Sequence, residues 1–214
     1  ILQRDVSEET MLCVECAAGQ YQDEDADGAG ICITCSAGKY TATGNMTVCS
    51  SCDPGFVSGP GATACAACLP GTFQDDFAAS ECKDCVLGRY SGSEEAVECT
   101  FAPIGYLVSS SGAKSPTLCP SGRSTTGTGS QSLDQCVCPA NFFEGTASQL
   151  CEKCQDGLSC PPGSKESDLM GSSLETMTLQ AGYWSSKADP TSIFECLEVE
   201  ACLGGLPEQC AEGR

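Results

Sequence analysis

Histidine is absent from the 214 residues, and Lys and Arg together number 10 against 29 Asp and Glu, a net charge of −19. The first absence removes the commonest general acid–base group. No Ser stands in a G-x-S-x-G elbow and no G-x-x-x-x-G-K-[ST] loop occurs, while the acidic pairs Asp75/Asp76 and Glu94/Glu95 fall at expected loop tips. No enzyme chemistry is expected. The shortage of clustered Lys and Arg excludes nucleic acid and anionic membrane surfaces as partners. No run of 18 apolar residues exists, so no membrane insertion is expected within this chain. Aromatics are few (1 Trp, 5 Tyr, 7 Phe), too thin a supply for one large core. No signal peptide is visible and the first residue is Ile, which reads as a processed or partial chain.

What the chain has is cysteine: 20 of them, with 24 Gly and 11 Pro. That density marks a disulfide scaffold in an oxidising, extracellular setting. Cys13/Cys16, Cys32/Cys35, Cys49/Cys52, Cys65/Cys68 and Cys82/Cys85 are all C-x-x-C pairs, and an x-x-Gly followed closely by an aromatic comes after most of them, as in "CSAGKY", "CDPGF" and "CLPGTF". Repeats begin at 16, 35, 52, 68, 85, 102, 119, 138 and 154, roughly every 17 residues. The Gly three places after the opening cysteine is expected to supply a turn with positive φ. Short β-hairpins are the expected local structure, repeated head to tail into an elongated rod whose repeats touch only their neighbours.

One repeat lacks its cysteines. At 102 stands Ala, in "APIGY", and at 116, where the closing cysteine belongs, stands Pro. If the second Cys of each C-x-x-C pairs with the first Cys of the next, Ala102 and Pro116 are the two ends of one missing bond and nothing is orphaned. If first pairs with first and second with second, Cys99 and Cys119 both lose partners. The spacing therefore predicts Cys16–Cys32, Cys35–Cys49, Cys52–Cys65, Cys68–Cys82, Cys85–Cys99, Cys119–Cys136 and Cys138–Cys151. Cys13, Cys154, Cys160, Cys196, Cys202 and Cys210 are left over; Cys154, Cys160, Cys196 and Cys202 could staple the C-terminal part to itself. Zinc, which also favours paired C-x-x-C, is disfavoured by the missing His and by pairs that run on without grouping into fours.

The pattern C-x-x-C-x-x-G-x-Y resembles the cysteine-rich repeats named for ephrin receptors. It is also similar to the first small module of tumour necrosis factor receptor repeats, in which one disulfide closes a C-x-x-G-x-Y loop. The resemblance covers about residues 13–160 and implies an extracellular protein. "GYW" followed by Cys and "ACLGG" resembles the continuation seen in very large surface proteins of unicellular eukaryotes, where more cysteine-rich repeats follow.

The fold class expected is small disulfide-rich β: an N-terminal arm (1–12), tandem disulfide-closed hairpins (13–160) and a smaller, cysteine-poor C-terminal β region (161–214). Asp23, Asp25 and Asp27 in "DEDADG" have the alternation of a calcium-loop beginning, but the twelfth place, which needs a bidentate Glu, is Thr34. Calcium is thus the one cofactor considered, beside the plainer reading of an acidic solvated tip. "NMT" makes Asn45 a glycosylation acceptor on an expected exposed turn. The function expected is a structural repeat protein: a building block of a cell-surface coat, flagellar hair or filament, self-associating or adjoining further repeats of a larger chain. The alternative is the ligand-binding or adhesion stalk of a receptor.

Overall fold

The computed structural model describes residues 15–23, 31–169, 177–189 and 192–208. The N-terminal arm, Cys13, Asp25, Asp27 and Cys210 lie outside the described residues. Two compact units divide the chain: residues 1–100 with 110–115, and residues 101–109 with 116–214.

Every sheet among the described residues is a two-stranded antiparallel hairpin, nine in all. The local cause is the turn that opens each repeat. In "CDPGF" the N–H of Phe56 donates to the Asp53 carbonyl (3.1 Å), with Gly55 at φ 86°. In "CLPGTF" Thr72 donates to Leu69 (3.0 Å), with Gly71 at φ 96°. Positive φ at the third position marks a type II turn, which Pro54 and Pro70 at its second position pre-set. In repeat 138 the same slot holds Asn141 at φ 68°, the side chain other than glycine best suited to that region. The turn delivers two-residue strands such as Lys39–Tyr40 and Ser50–Ser51, whose register sets Lys39 opposite Ser51 and Tyr40 opposite Ser50.

The first unit stacks these hairpins with one set of backbone bonds. The turn glycine donates to the next repeat: Gly38 to Ser58 (2.7 Å), Gly55 to Gln74 (2.7 Å), Gly71 to Ser91 (2.8 Å). The sixth residue after the opening cysteine does likewise: Thr41 to Ala62, Ser58 to Ala79, Gln74 to Ala96. Each hairpin tip then donates back to the previous opening cysteine: Gly61 to Cys35 (2.8 Å), Ala78 to Cys52 (2.9 Å), Glu95 to Cys68 (2.9 Å). Those tip residues all have positive φ. One expectation is corrected here, because repeats do not touch only their neighbours. A Cβ built on Gly38 would land on the carbonyl of Ala78, and one on Gly71 on that of Gly112, each two repeats along. The absence of a side chain at the turn is what lets the second-next tip approach.

The second unit follows the same scheme. Gly129 donates to Ala102 (2.7 Å) and Gly163 to Cys138 (2.8 Å). The scheme continues past residue 160. In "LQAGYW" Tyr183 donates to Gln180 across Gly182 (φ 90°), Cys196 donates to Gly182, and Gly182 donates to Cys202. Leu179 thus stands where an opening cysteine stands elsewhere. Its strand pairs Leu158–Ser159 with Thr178–Leu179, and Tyr183–Trp184 pairs with Phe194–Glu195. A small core forms from Cys154, Leu158, Cys160, Met177 and Leu179, with Phe143 and Ile193 packed on it.

Candidate functional site

The repeated junction between hairpins is the element on which the array depends. At its centre lies the opening cysteine: Cys35, Cys68 and Cys85 are fully buried, and Cys16, Cys52 and Cys138 nearly so. Seven disulfides join Cys16–Cys32, Cys35–Cys49, Cys52–Cys65, Cys68–Cys82, Cys85–Cys99, Cys119–Cys136 and Cys138–Cys151, the partners the spacing argues for. Each closes 13 to 17 residues, worth about 3 kcal/mol in the chain-entropy model. Two further bonds, Cys154–Cys160 and Cys196–Cys202, span only six residues.

The short bonds are explained by a position that sequence reasoning missed. The sixth residue after the opening cysteine is small, polar and buried in repeat after repeat: Thr41, Ser58, Gln74, Ser91, Thr125 and Ser185. It faces the opening sulfur, since Thr41 Oγ1 lies 3.9 Å from Cys35 Sγ. Hydrogen bonds meet its polar groups at every one of these residues but Ser185. Thr41 Oγ1 accepts from the Gly19 N–H (2.8 Å) and donates to the Gln20 carbonyl, and Ser58 donates to the Lys39 carbonyl. Cys160 and Cys202 occupy this same place, 154 + 6 and 196 + 6, so there the neighbouring side chain itself becomes the disulfide partner. The signal was present in the sequence as a polar column every 17 residues, but solvated loop residues look identical.

Where the long staple is missing, apolar packing stands in. Ala102 is fully buried, and the sixth residue is Val108, also buried, the single aliphatic in that column from repeat 35 to repeat 119. Leu107 joins Cys119 and Cys136 in a small cluster. In the repeat opened by Leu179 the closing position is Ile193, and both sit in the same core.

The remaining candidates are placed plainly. Asp23 ends the strand Gln20–Asp23, opposite Ile31, and Asp25 and Asp27 lie outside the described residues. No group of three or more His, Cys, Asp or Glu side chains among the described residues is arranged to hold a metal ion. Asn45 is exposed at the tip of its hairpin with φ 57°, its N–H donating to the Cys16 carbonyl. Tyr183 packs its ring over Gly157, and Trp184 lies 6.3 Å from Phe194 across the strands.

Charged side chains bridge neighbouring segments at the surface. Lys83 Nζ donates to Asp75 (2.6 Å) and Asp76 (2.7 Å), which holds the Asp75 carboxyl below its ordinary range and raises the Lys83 amine. Arg123 donates to the Cys136 and Gln149 carbonyls and pairs with Glu144. Pro54, Phe73, Val86, Arg89 and Val97 line an open cavity of about 680 Å³.

Two overlapping stretches, residues 55–98 and 88–136, match the family model described as tyrosine-protein kinase ephrin type A/B receptor-like. Residues 55–136 are thus similar to ephrin-receptor-like cysteine-rich repeats. The matched span includes repeat 102, where hairpin and turn persist without the disulfide. A comparison with curated proteins finds no match. No helix among the described residues is long and apolar enough to cross a membrane.

Proposed function

We propose that the chain is an extracellular structural repeat protein, a rod-like building block of a cell-surface coat, flagellar hair or filament. The observation that carries this reading is the repeating junction: the same backbone bonds and the same buried position join hairpin to hairpin within each unit. Such an array extends by adding modules and needs no ligand to hold it. The role is non-catalytic, with self-association or adjoining repeats as partners and Asn45 as an acceptor for glycan. Sedimentation velocity of the oxidised chain over a concentration series, with electron micrographs of the same samples, tests it. Growth into regular assemblies is expected; a monomer at every concentration overturns the building-block reading.

A second reading, the ligand-binding or adhesion stalk of a receptor, is favoured by one feature. The cavity between Pro54, Phe73, Val86 and Val97 is largely apolar, with the cation Arg89 and the carboxylates Asp75 and Glu98 also on its wall. Arg89→Ala would then abolish capture of a ligand while leaving assembly unchanged.

A further inference from the structure

Lysine is distributed by a rule that the fold makes visible. In the six hairpins spanned by a disulfide, no Lys or Arg lies between the strands (24–30, 41–49, 58–65, 74–82, 91–99 and 145–150), and 125–136, which ends at the Cys119–Cys136 bond, holds none either. Three hairpins have no disulfide across the loop, and each carries one lysine there. Lys114 lies between Tyr106–Leu107 and Thr117–Leu118, Lys165 between Leu158–Ser159 and Thr178–Leu179, and Lys187 between Tyr183–Trp184 and Phe194–Glu195. All three are exposed. Lys165 bridges Glu144 just before the helix Glu166–Leu169, and Lys187 lies beside Glu208. Of the other basic residues described, Lys39, Lys83, Arg89 and Lys153 are in strands and Arg123 is at the end of its turn.

We propose that Lys114, Lys165 and Lys187 mark processing sites for a trypsin-like endopeptidase. Such an enzyme takes its substrate as an extended strand reaching several residues to either side of the cleaved bond. A loop clamped by a disulfide supplies at most a short one. Cys35–Cys49 holds 14 residues of chain with its Cα atoms 5.8 Å apart. At ~3.4 Å per residue, half of that contour is about 24 Å, so about seven residues can lie straight before the rest fails to return. The loop around Lys114 has no such clamp. Its tip is held by the Gly112 N–H on the Cys85 carbonyl, the Ser111 hydroxyl on the same carbonyl, and the Ser91 N–H on the Ala113 carbonyl. These three bonds tie the tip to repeat 85, and no disulfide across the loop adds to them.

The consequence also differs. Hydrolysis adds water across the Lys114–Ser115 bond, leaving a carboxylate on Lys114 and an amine on Ser115. No disulfide among the described residues spans that bond, whereas a cut inside a spanned loop leaves its two halves joined. Cleavage at these lysines therefore releases blocks of intact, stapled repeats.

The test uses trypsin on the oxidised full chain, followed by denaturation without reduction and mass measurement. Cuts after Lys114, Lys165 and Lys187 are expected, with those after Lys39, Lys83, Arg89, Arg123 and Lys153 at least tenfold slower. Ala102→Cys with Pro116→Cys should slow the cut after Lys114 at least tenfold. Thr43→Lys, which puts a lysine on an exposed tip inside the Cys35–Cys49 loop, should stay uncut over the same time. Cleavage of Thr43→Lys as fast as at Lys114, or cleavage after Lys39 and Arg89 as fast as at Lys114, overturns the proposal whatever the double cysteine variant does.

Discussion

Restoring the missing staple puts the repeat register to a direct test. In the stapled repeat 35, the opening cysteine is four residues before Lys39 and the closing cysteine two before its partner Ser51. In repeat 102, Ala102 is four before Tyr106 and Pro116 two before its partner Leu118. Repeat 68 gives the same offsets through Thr72 and Asp84. Positions 102 and 116 are therefore a disulfide site without its sulfurs. Space for the sulfur at 102 exists, because Val108 has the shape of the Thr41 that lies against Cys35 Sγ.

Ala102→Cys with Pro116→Cys closes a loop of the same length as Cys35–Cys49, for about 3 kcal/mol. Losing Pro116 returns freedom to the unfolded chain and costs about 0.4–1 kcal/mol. The net is about 2 kcal/mol, or roughly 30-fold in an opening equilibrium. Because two units divide the chain, a single melting temperature would mix events. Hydrogen exchange reads the local effect instead. The amides of Tyr106 and Cys119, bonded to Pro103 and Gly105, should exchange about 30-fold more slowly in the oxidised variant and return to wild-type rates on reducing that bond. Absence of a bond between 102 and 116 in the oxidised variant refutes the register argument. A bond that forms without slowing those amides refutes the claim that the staple stabilises the hairpin.

Other expectations follow from single positions. Gly38→Ala meets both the positive-φ cost and the Ala78 carbonyl, whereas Gly105→Ala, at nearly the same φ but with only Ser124 Oγ nearby at 3.7 Å, meets the first alone. Denaturation should show about 1 kcal/mol lost for Gly105→Ala and clearly more for Gly38→Ala; equal losses would count against the contact between second-next repeats. Thr41→Val takes the hydroxyl from the Gly19 N–H, which keeps the Thr41 carbonyl, and should cost about 0.5–1.5 kcal/mol, while Ser185→Ala removes a buried hydroxyl that finds no partner and should be neutral or stabilising. Glu166 is held below its ordinary value of 4.5, first by the Thr146 N–H and then by the Thr146 hydroxyl. Its contribution is present above that value and is lost as pH falls through the lowered one, so the Thr146 amide should lose protection on acidification and Glu166→Gln should remove that pH dependence. Expression in a eukaryotic secretory host should yield a mass shift at Asn45 that Asn45→Gln abolishes.

Much of the fold was legible because one covalent constraint repeats. A missing pair at Ala102 and Pro116 discloses connectivity that an unbroken array would conceal, and the turn glycines announce their φ through the Pro that precedes two of them. The C-terminal region was not legible for the converse reason. There Leu179 and Ile193 replace a cysteine pair, and Cys160 and Cys202 occupy the buried sixth position. A reading anchored on C-x-x-C therefore loses its frame although the hairpins go on.

The sixth position shows why the junction itself stayed hidden. A Thr, Ser or Gln in a loop normally reads as solvated, and only the ladder brings its polar group under the next repeat. There Thr41 and Thr125 each accept from one backbone group and donate to another, so their burial costs little. Replacement by Val coincides with a missing staple at repeat 102, and replacement by Cys coincides with a rerouted one at 154 and 196. At those repeats the side chain at this place and the disulfide beside it change together, whereas the repeat opened by Leu179 keeps Ser185 there with no staple at all. Absence of the long staple, rather than the sixth residue by itself, is what leaves the loop beyond unclamped.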